Sequence, residues 1–82
     1  MQRAYILIKT EAGKLWKVAE DANKVKGVKM ADAVTGAFDV IVYSELKDMN
    51  QLSDLIRQLQ YIDGVISTHT SIIIPTRVDI GP

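Results

Sequence analysis

The chain contains no cysteine, which removes a disulfide framework, a thiolate metal site and a cysteine nucleophile together. Folding must rest on packing alone. Histidine is almost as scarce: His69 is the single one, and the acidic residues are scattered singly, so no ligand set for zinc or calcium is in view. No metal and no other cofactor is expected. The five glycines stand apart from one another, which excludes a glycine-rich phosphate loop. An excess of one charge is also missing. Ten Lys/Arg and ten Asp/Glu cancel, and the basic residues form nothing denser than the alternation of Lys24 with Lys26, so this chain by itself is not expected to bind nucleic acid. No apolar run approaches the roughly 20 residues of a membrane span, and Met1-Gln2-Arg3 lacks the apolar core of a signal peptide. We therefore expect no membrane association and a cytoplasmic location.

What is present is a pattern of strands and helices. Eighty-two residues make one domain over 1–82, and a chain of this length buries only about 60–65 % of its unfolded surface. A lone copy has a thin core, so self-association is expected. Ala4-Tyr5-Ile6-Leu7-Ile8 is apolar on both alternating sets, as in a strand covered on two faces at the middle of a sheet. After the break at Thr10-Glu11-Ala12-Gly13, Leu15, Val18, Ala19 and Ala22 recur at helical spacing, with Lys14, Lys17, Glu20, Asp21 and Lys24 on the remaining faces. Gly27 reads as the left-handed cap of that helix. A second strand follows over 28–35 and a third over 38–46, the third again apolar on both sets. Asp48 is a natural N-cap with Gln51 at the capping-box distance, and Leu52, Leu55, Ile56 and Leu59 form the core stripe of a second helix. Asp63-Gly64 stops it. A β-branched fourth strand spans 65–74, Pro75 prevents its simple continuation, and 75–82 is a C-terminal tail or short edge segment.

Strand, helix and strand thus occur twice, and both helices lead into Gly-Val, at Gly27-Val28 and Gly64-Val65. Right-handed crossovers around a central hairpin give an α+β fold, the ferredoxin-like βαββαβ sandwich: an antiparallel four-stranded sheet in order 4-1-3-2 with both helices on one face. Two helices shield one face only. The first, third and fourth strands carry apolar residues on both, so the bare face would expose more hydrocarbon than a soluble monomer normally tolerates. A homodimer packed sheet on sheet is expected, and a ring of such dimers is a natural extension.

Gly36-Ala37 reads as the tip of the central hairpin, and Asp39 falls among strand residues just beyond it. An aspartate is a poor strand former and costly to bury unpaired, so backbone N–H groups, a cation or a ligand's ammonium must compensate it. The plain alternative is a hairpin glycine and an aspartate tied to neighbouring backbone. Trp16 is expected to pack, partly buried, beside the first helix's stripe, and Tyr5, Tyr43 and Tyr61 to serve as core or interface aromatics. His69, between Thr68 and Thr70, is more consistent with a structural or interface role than with catalysis, because it has no partner of the kind a nucleophile or acid–base pair needs. The hydroxyls of Thr68 and Thr70 could hydrogen-bond a small polar ligand.

From residue 4 to about residue 74, these features together resemble the effector domain of the Lrp/AsnC (feast/famine) regulators, the RAM domain. The resemblance is carried by the Ala-Tyr-Ile-Leu-Ile opening strand, Gly27-Val28, Val34-Thr35-Gly36-Ala37-Phe38-Asp39 as the family's V-x-G-x-x-D hairpin, Gly64-Val65, and Thr68-His69-Thr70. It implies a non-enzymatic domain that binds an amino acid or related metabolite between dimers, in octamers or similar rings. By the same resemblance Gly36 allows close approach of the ligand, and Asp39 accepts its ammonium group or shapes the pocket. Thr35, Ala37, Thr68 and Thr70 are further ligand-binding candidates; catalytic and metal residues are none. Full-length regulators place a helix-turn-helix domain and a linker ahead of this domain, whereas here Met1 lies three residues ahead of the first strand; the chain is then either a stand-alone form, which the methionine start and neutral charge favour, or a piece of a longer regulator. Its partners would be itself, the effector and the full-length regulators.

Two other classes compete. A small dimeric ferredoxin-like oxygenase or isomerase would place a closed cavity between helices and sheet, lined by Trp16, Tyr43 and His69, whereas a sensor would carry a polar cleft near Asp39 at a seam between dimers. A ligand-free assembly module would have neither.

Overall fold

β1 (Gln2–Thr10) is the axis of the sheet. A computed structural model describes residues 1–75, with α1 (Leu15–Asn23), β2 (Val28–Ala33), β3 (Val40–Leu46), α2 (Met49–Gln60) and β4 (Val65–Ile72) following in that order. β1 lies between β3 and β4, and β2 flanks β3, giving β2-β3-β1-β4 with every pairing antiparallel. This is the expected 4-1-3-2 order. The tail expected over 75–82 lies, from residue 76 on, outside the described residues.

Alternation along the strands decides which face becomes the core. Ala4, Ile6, Ile8 and Thr10 of β1 are buried, as are Val40, Val42, Ser44 and Leu46 of β3. Against them pack Val18, Ala19 and Ala22 of α1 and Leu52, Leu55 and Leu59 of α2, the positions that the helical spacing singles out. Ser44 enters this apolar layer at little cost because its hydroxyl donates to the Ala4 carbonyl at 3.1 Å. Asn23 ties the end of α1 to the sheet's edge: its amide donates to the Ala31 carbonyl at 2.8 Å and accepts from the Ala31 N–H at 3.1 Å. Edge-strand groups that would otherwise be open for pairing are thereby occupied.

α2 starts as its sequence signals. The Asp48 carboxylate accepts from the Gln51 N–H at 3.0 Å, and the Gln51 side chain accepts from the Lys47 N–H at 2.9 Å, a near-reciprocal cap displaced by one residue from the standard box. α1 ends differently from expectation. Its C-cap is Lys24, and Gly27 lies beyond the cap, in the turn that delivers β2. Strand limits also shift: β2 stops at Ala33, β3 starts at Val40 and β4 stops at Ile72.

The opposite face of the sheet is open. Register places Met30, Tyr43, Tyr5 and Ser71 in one row across the four strands, and Asp32, Ile41, Leu7 and His69 in the next same-face row. The Tyr5 and Tyr43 rings lie 5.3 Å apart at 49°. Apart from the 34–39 loop at one end, nothing among the described residues covers this surface, and Tyr5 remains 41 % exposed. β1 and β3 are apolar on this face as expected, but the expected apolar fourth strand is corrected: β4 brings Ser67, His69 and Ser71 to the open face, and β2 adds Asp32 at the other edge.

Gly64 shows how tightly the turn from α2 to β4 is packed. Its φ is +100°, and a Cβ there would sit 2.7 Å from the Lys14 Cβ and 3.1 Å from the Val18 Cγ2. Both backbone strain and overlap oppose any side chain. Gly64→Ala should cost about 1–3 kcal/mol in urea unfolding at fixed protein concentration; a loss below about 0.5 kcal/mol, the range of an ordinary surface substitution, would contradict this packing.

Candidate functional site

The β1–β3 ladder ends at the pair Ile8 and Val40, and the chain then needs another way to satisfy the backbone beyond it. Asp39 provides it. Its N–H donates to the Ile8 carbonyl at 2.9 Å, its carbonyl accepts from the Val34 N–H at 2.8 Å, and its Oδ2 accepts from the Thr10 N–H at 2.8 Å. Residues 34–39 are therefore a six-residue loop closed by one aspartate. The two-residue tip at Gly36-Ala37 is corrected to this longer loop, and Asp39 lies just before β3, outside the strand.

Of the compensations open to Asp39, backbone N–H is the one this chain supplies. Among the described residues only Oδ2 is engaged, which leaves Oδ1 able to accept from an ammonium. Gly36 has φ +116°, and nothing lies within 4 Å of where its Cβ would be. The tip at Thr35, Gly36 and Ala37 is exposed. Two contacts hold the loop to the open sheet face: the Lys9 ammonium donates to the Ala37 carbonyl at 3.4 Å, and the Phe38 ring meets the His69 ring edge-on at 5.2 Å. Thr10, Lys9 and Phe38 were not legible as loop-shaping residues. Each acts across a distance of about 28 to 31 positions in the chain, where spacing carries no signal.

Thr68 and Thr70 lie elsewhere. They pair with Ile8 and Ile6, so they face the helices; the Thr68 hydroxyl accepts from the Gln60 amide at 3.2 Å, and Thr70 lines an open groove of about 460 Å³ with Met49, Ile56, Arg57 and Ile72. One chain thus gathers Thr35, Gly36, Ala37 and Asp39 in a loop and leaves Thr68 and Thr70 on the other side of the sheet. Two further clefts, of about 410 and 360 Å³, share Lys29, Leu46 and Lys47. None of these three is lined by the loop, or by Trp16, Tyr43 or His69, the set an enclosed enzyme cavity would need.

The remaining aromatic and charged residues serve the surface. Trp16 is 75 % exposed and Tyr61 82 %, so the expected packing of Trp16 against the helix stripe does not occur. Lys17 bonds Asp21 at 2.7 Å and Lys14 bonds Asp63 at 2.9 Å. These bonds hold both carboxyls below their ordinary range and raise the Lys17 ammonium, as exposed pairs do without marking a site. The Tyr43 hydroxyl, donating to Glu45 at 2.9 Å, is pushed up by that carboxylate and by partial burial. Among the described residues no His, Cys, Asp and Glu group could hold a metal ion, and no helix is long and apolar enough to cross a membrane.

A loop that pairs an open glycine with a half-used carboxylate at the end of a βαββαβ sheet agrees with the match of residues 3–81 to the family model of the Lrp/AsnC ligand binding domain. The chain belongs to the Lrp/AsnC family. It is 34 % identical over 73 residues to the HTH-type transcriptional regulator FL11 of Pyrococcus abyssi, covering 89 % of this chain and 48 % of that protein. The chain therefore spans about half the length of the regulators it matches. The crystal structure of hypothetical protein PHS023 from Pyrococcus horikoshii superposes with a TM-score of 0.84 at 30 % identity, over 100 % of both chains. A Neisseria meningitidis transcriptional regulator, NMB0573, solved as an L-Met complex, superposes with a TM-score of 0.78 at 23 % identity over 99 % of this chain and 53 % of that one; at that identity the likeness carries the fold alone. Membership in this family makes the chain a ligand-binding regulatory domain.

Asp39 can be dissected by chemistry. Asp39→Ala leaves the part-buried Thr10 N–H without an acceptor and should cost about 1–3 kcal/mol, whereas Asp39→Asn keeps a carbonyl oxygen in place and should cost less than about 1 kcal/mol. Urea unfolding at fixed protein concentration separates them. Equal losses from the two substitutions would show that the Thr10 bond does not organise the loop.

Proposed function

We propose that this Lrp/AsnC domain is a cytoplasmic sensor of a small amino acid or related metabolite, and that it responds through its assembly state. The open sheet face pairs with that of a second copy, and dimers join into an octamer or similar ring with the 34–39 loops at the seams. The effector sits where such a loop meets the neighbouring dimer. Full-length regulators of the same family are natural partners, because their equivalent domains could enter the same ring.

The observation that carries this reading is Asp39. One of its oxygens accepts from the Thr10 N–H, while the other is unengaged among the described residues, in the same loop as a glycine tip with free space around it. A preoriented carboxylate suits an ammonium group, and the tip lets the ligand's backbone-like atoms come close. The match to a ligand binding domain of this family supports a small-molecule effector at the loop. Thr68 and Thr70, on the helix side of the sheet, can enter such a site only from a different subunit than the loop they would complement. That geometry favours a seam between copies over a pocket within one.

Ligand held by groups from two dimers favours the assembled state by mass action. At 100 times its Kd it contributes about 2.7 kcal/mol per site, enough to move an assembly equilibrium about a hundredfold. Light scattering and calorimetry during titration with the twenty standard amino acids should show heat and a rise in mass for at least one of them. Asp39→Asn, which keeps the loop, should weaken that binding at least tenfold. Unchanged mass and no heat across the panel would leave a ligand-free assembly module as the better description, and full affinity in Asp39→Asn would remove Asp39 from the site.

A further inference from the structure

Lys9 has no counterpart among the site residues discussed above. It occupies the open face at the end of β1, beside the position where Asp39 closes the ladder, and its ammonium lies 3.4 Å from the Ala37 carbonyl. That contact is long and leaves at least two of the three ammonium hydrogens unused. A carbonyl orients the ammonium but does not neutralise it. No carboxylate lies within 4.0 Å of it among the described residues, although Lys14, Lys17 and Arg57 all have such a partner.

This end of the open face thus carries a cation and an anion, each in contact with a backbone group and neither paired with the other among the described residues. The Lys9 ammonium contacts the Ala37 carbonyl and the Asp39 carboxylate the Thr10 N–H, and exposed Gly36 precedes Ala37 at the loop tip. Two opposite charges that are kept apart at one loop are complementary to a molecule that carries both charges itself. We propose that Lys9 is a specificity-determining residue that reads the α-carboxylate of the ligand, so that the site takes zwitterionic α-amino acids and discriminates against their amides and the corresponding amines. This rests on the proposed amino-acid sensor.

Backbone N–H groups at the loop tip cannot supply the same discrimination, because a neutral donor accepts the oxygen of a carboxamide nearly as well as that of a carboxylate. A cation distinguishes the two. Other cations on this face are remote from the loop: Arg3 lies at the opposite end of β1, beside Tyr43 and Glu45.

The test compares each of the twenty standard L-amino acids with its α-carboxamide by isothermal titration calorimetry, on the wild-type chain, Lys9→Gln and Lys9→Arg. Wild type should prefer the acid to the amide at least tenfold. Lys9→Gln should lose most of that preference by weakening the acid while leaving the amide within about twofold, and Lys9→Arg should restore it, which a merely structural role for the side chain would not produce. A preference that survives in Lys9→Gln, or equal weakening of acid and amide, would overturn the proposal and leave the sensor reading intact. Absence of any amino-acid binding to the wild type would defeat both.

Discussion

Two helices can shield only one side of a four-stranded sheet, and in this chain the two central strands are apolar on both sides. The helix side is closed by Val18, Ala19, Ala22, Leu52, Leu55 and Leu59 against Ile6, Ile8, Val40 and Val42. The other side presents Met30, Tyr43, Tyr5, Ile41 and Leu7 in adjoining rows. An isolated domain of this size already has little buried surface to set against its conformational entropy. In the proposed dimer, covering the second face with a copy of the chain would offset that deficit without adding a residue, and the identical strand patterns of the two copies would make a twofold pairing self-complementary.

The loop at residues 34–39 belongs to the same problem, because it lies at the end of that uncovered face. Its closure depends on Asp39 accepting the Thr10 N–H where the ladder runs out, and its lean over the sheet depends on Phe38 meeting His69 on β4. A second copy that covers the face would press on Phe38 and His69, and through them on the segment that carries Gly36. In the proposed assembly, recognition and pairing would share these residues. In this account a ligand need not trigger a large rearrangement; it has only to interact differently with the free and the assembled forms.

Much of this was readable from periodicity. Continuous apolar runs at 4–8 and 40–43, helical spacing at Leu15, Val18, Ala19 and Ala22, and the Asp48 and Gln51 cap fix the element order, and the order admits one sheet. The resemblance in Val34-Thr35-Gly36-Ala37-Phe38-Asp39 pointed to the loop. The loop is longer than the expected two-residue tip because Asp39 and Phe38 turn to β1 and β4, to the Thr10 N–H and the His69 ring, instead of extending the β2–β3 ladder past Ala33 and Val40. Trp16 was misplaced for a related reason: its neighbour Leu15 occupies the stripe position, and a large aromatic one residue on is carried around to solvent. That Asp39 is satisfied by Thr10, or that Thr68 and Thr70 turn toward the helices, depends on register between strands, and register is a property of pairs that local sequence does not contain.

Molar mass in solution is the most direct test of the central constraint. At low micromolar concentration, light scattering behind size exclusion should give the intact chain, whose single-copy mass is 9.1 kDa, a mass of two copies or a multiple of two. Ile41→Lys, which places a charge in the middle of the open face and touches nothing in the helix-side core, should fall toward one copy while retaining the far-ultraviolet circular dichroism of the fold. A wild-type chain that runs as a single folded copy, or an Ile41→Lys variant whose mass does not change, would contradict the account.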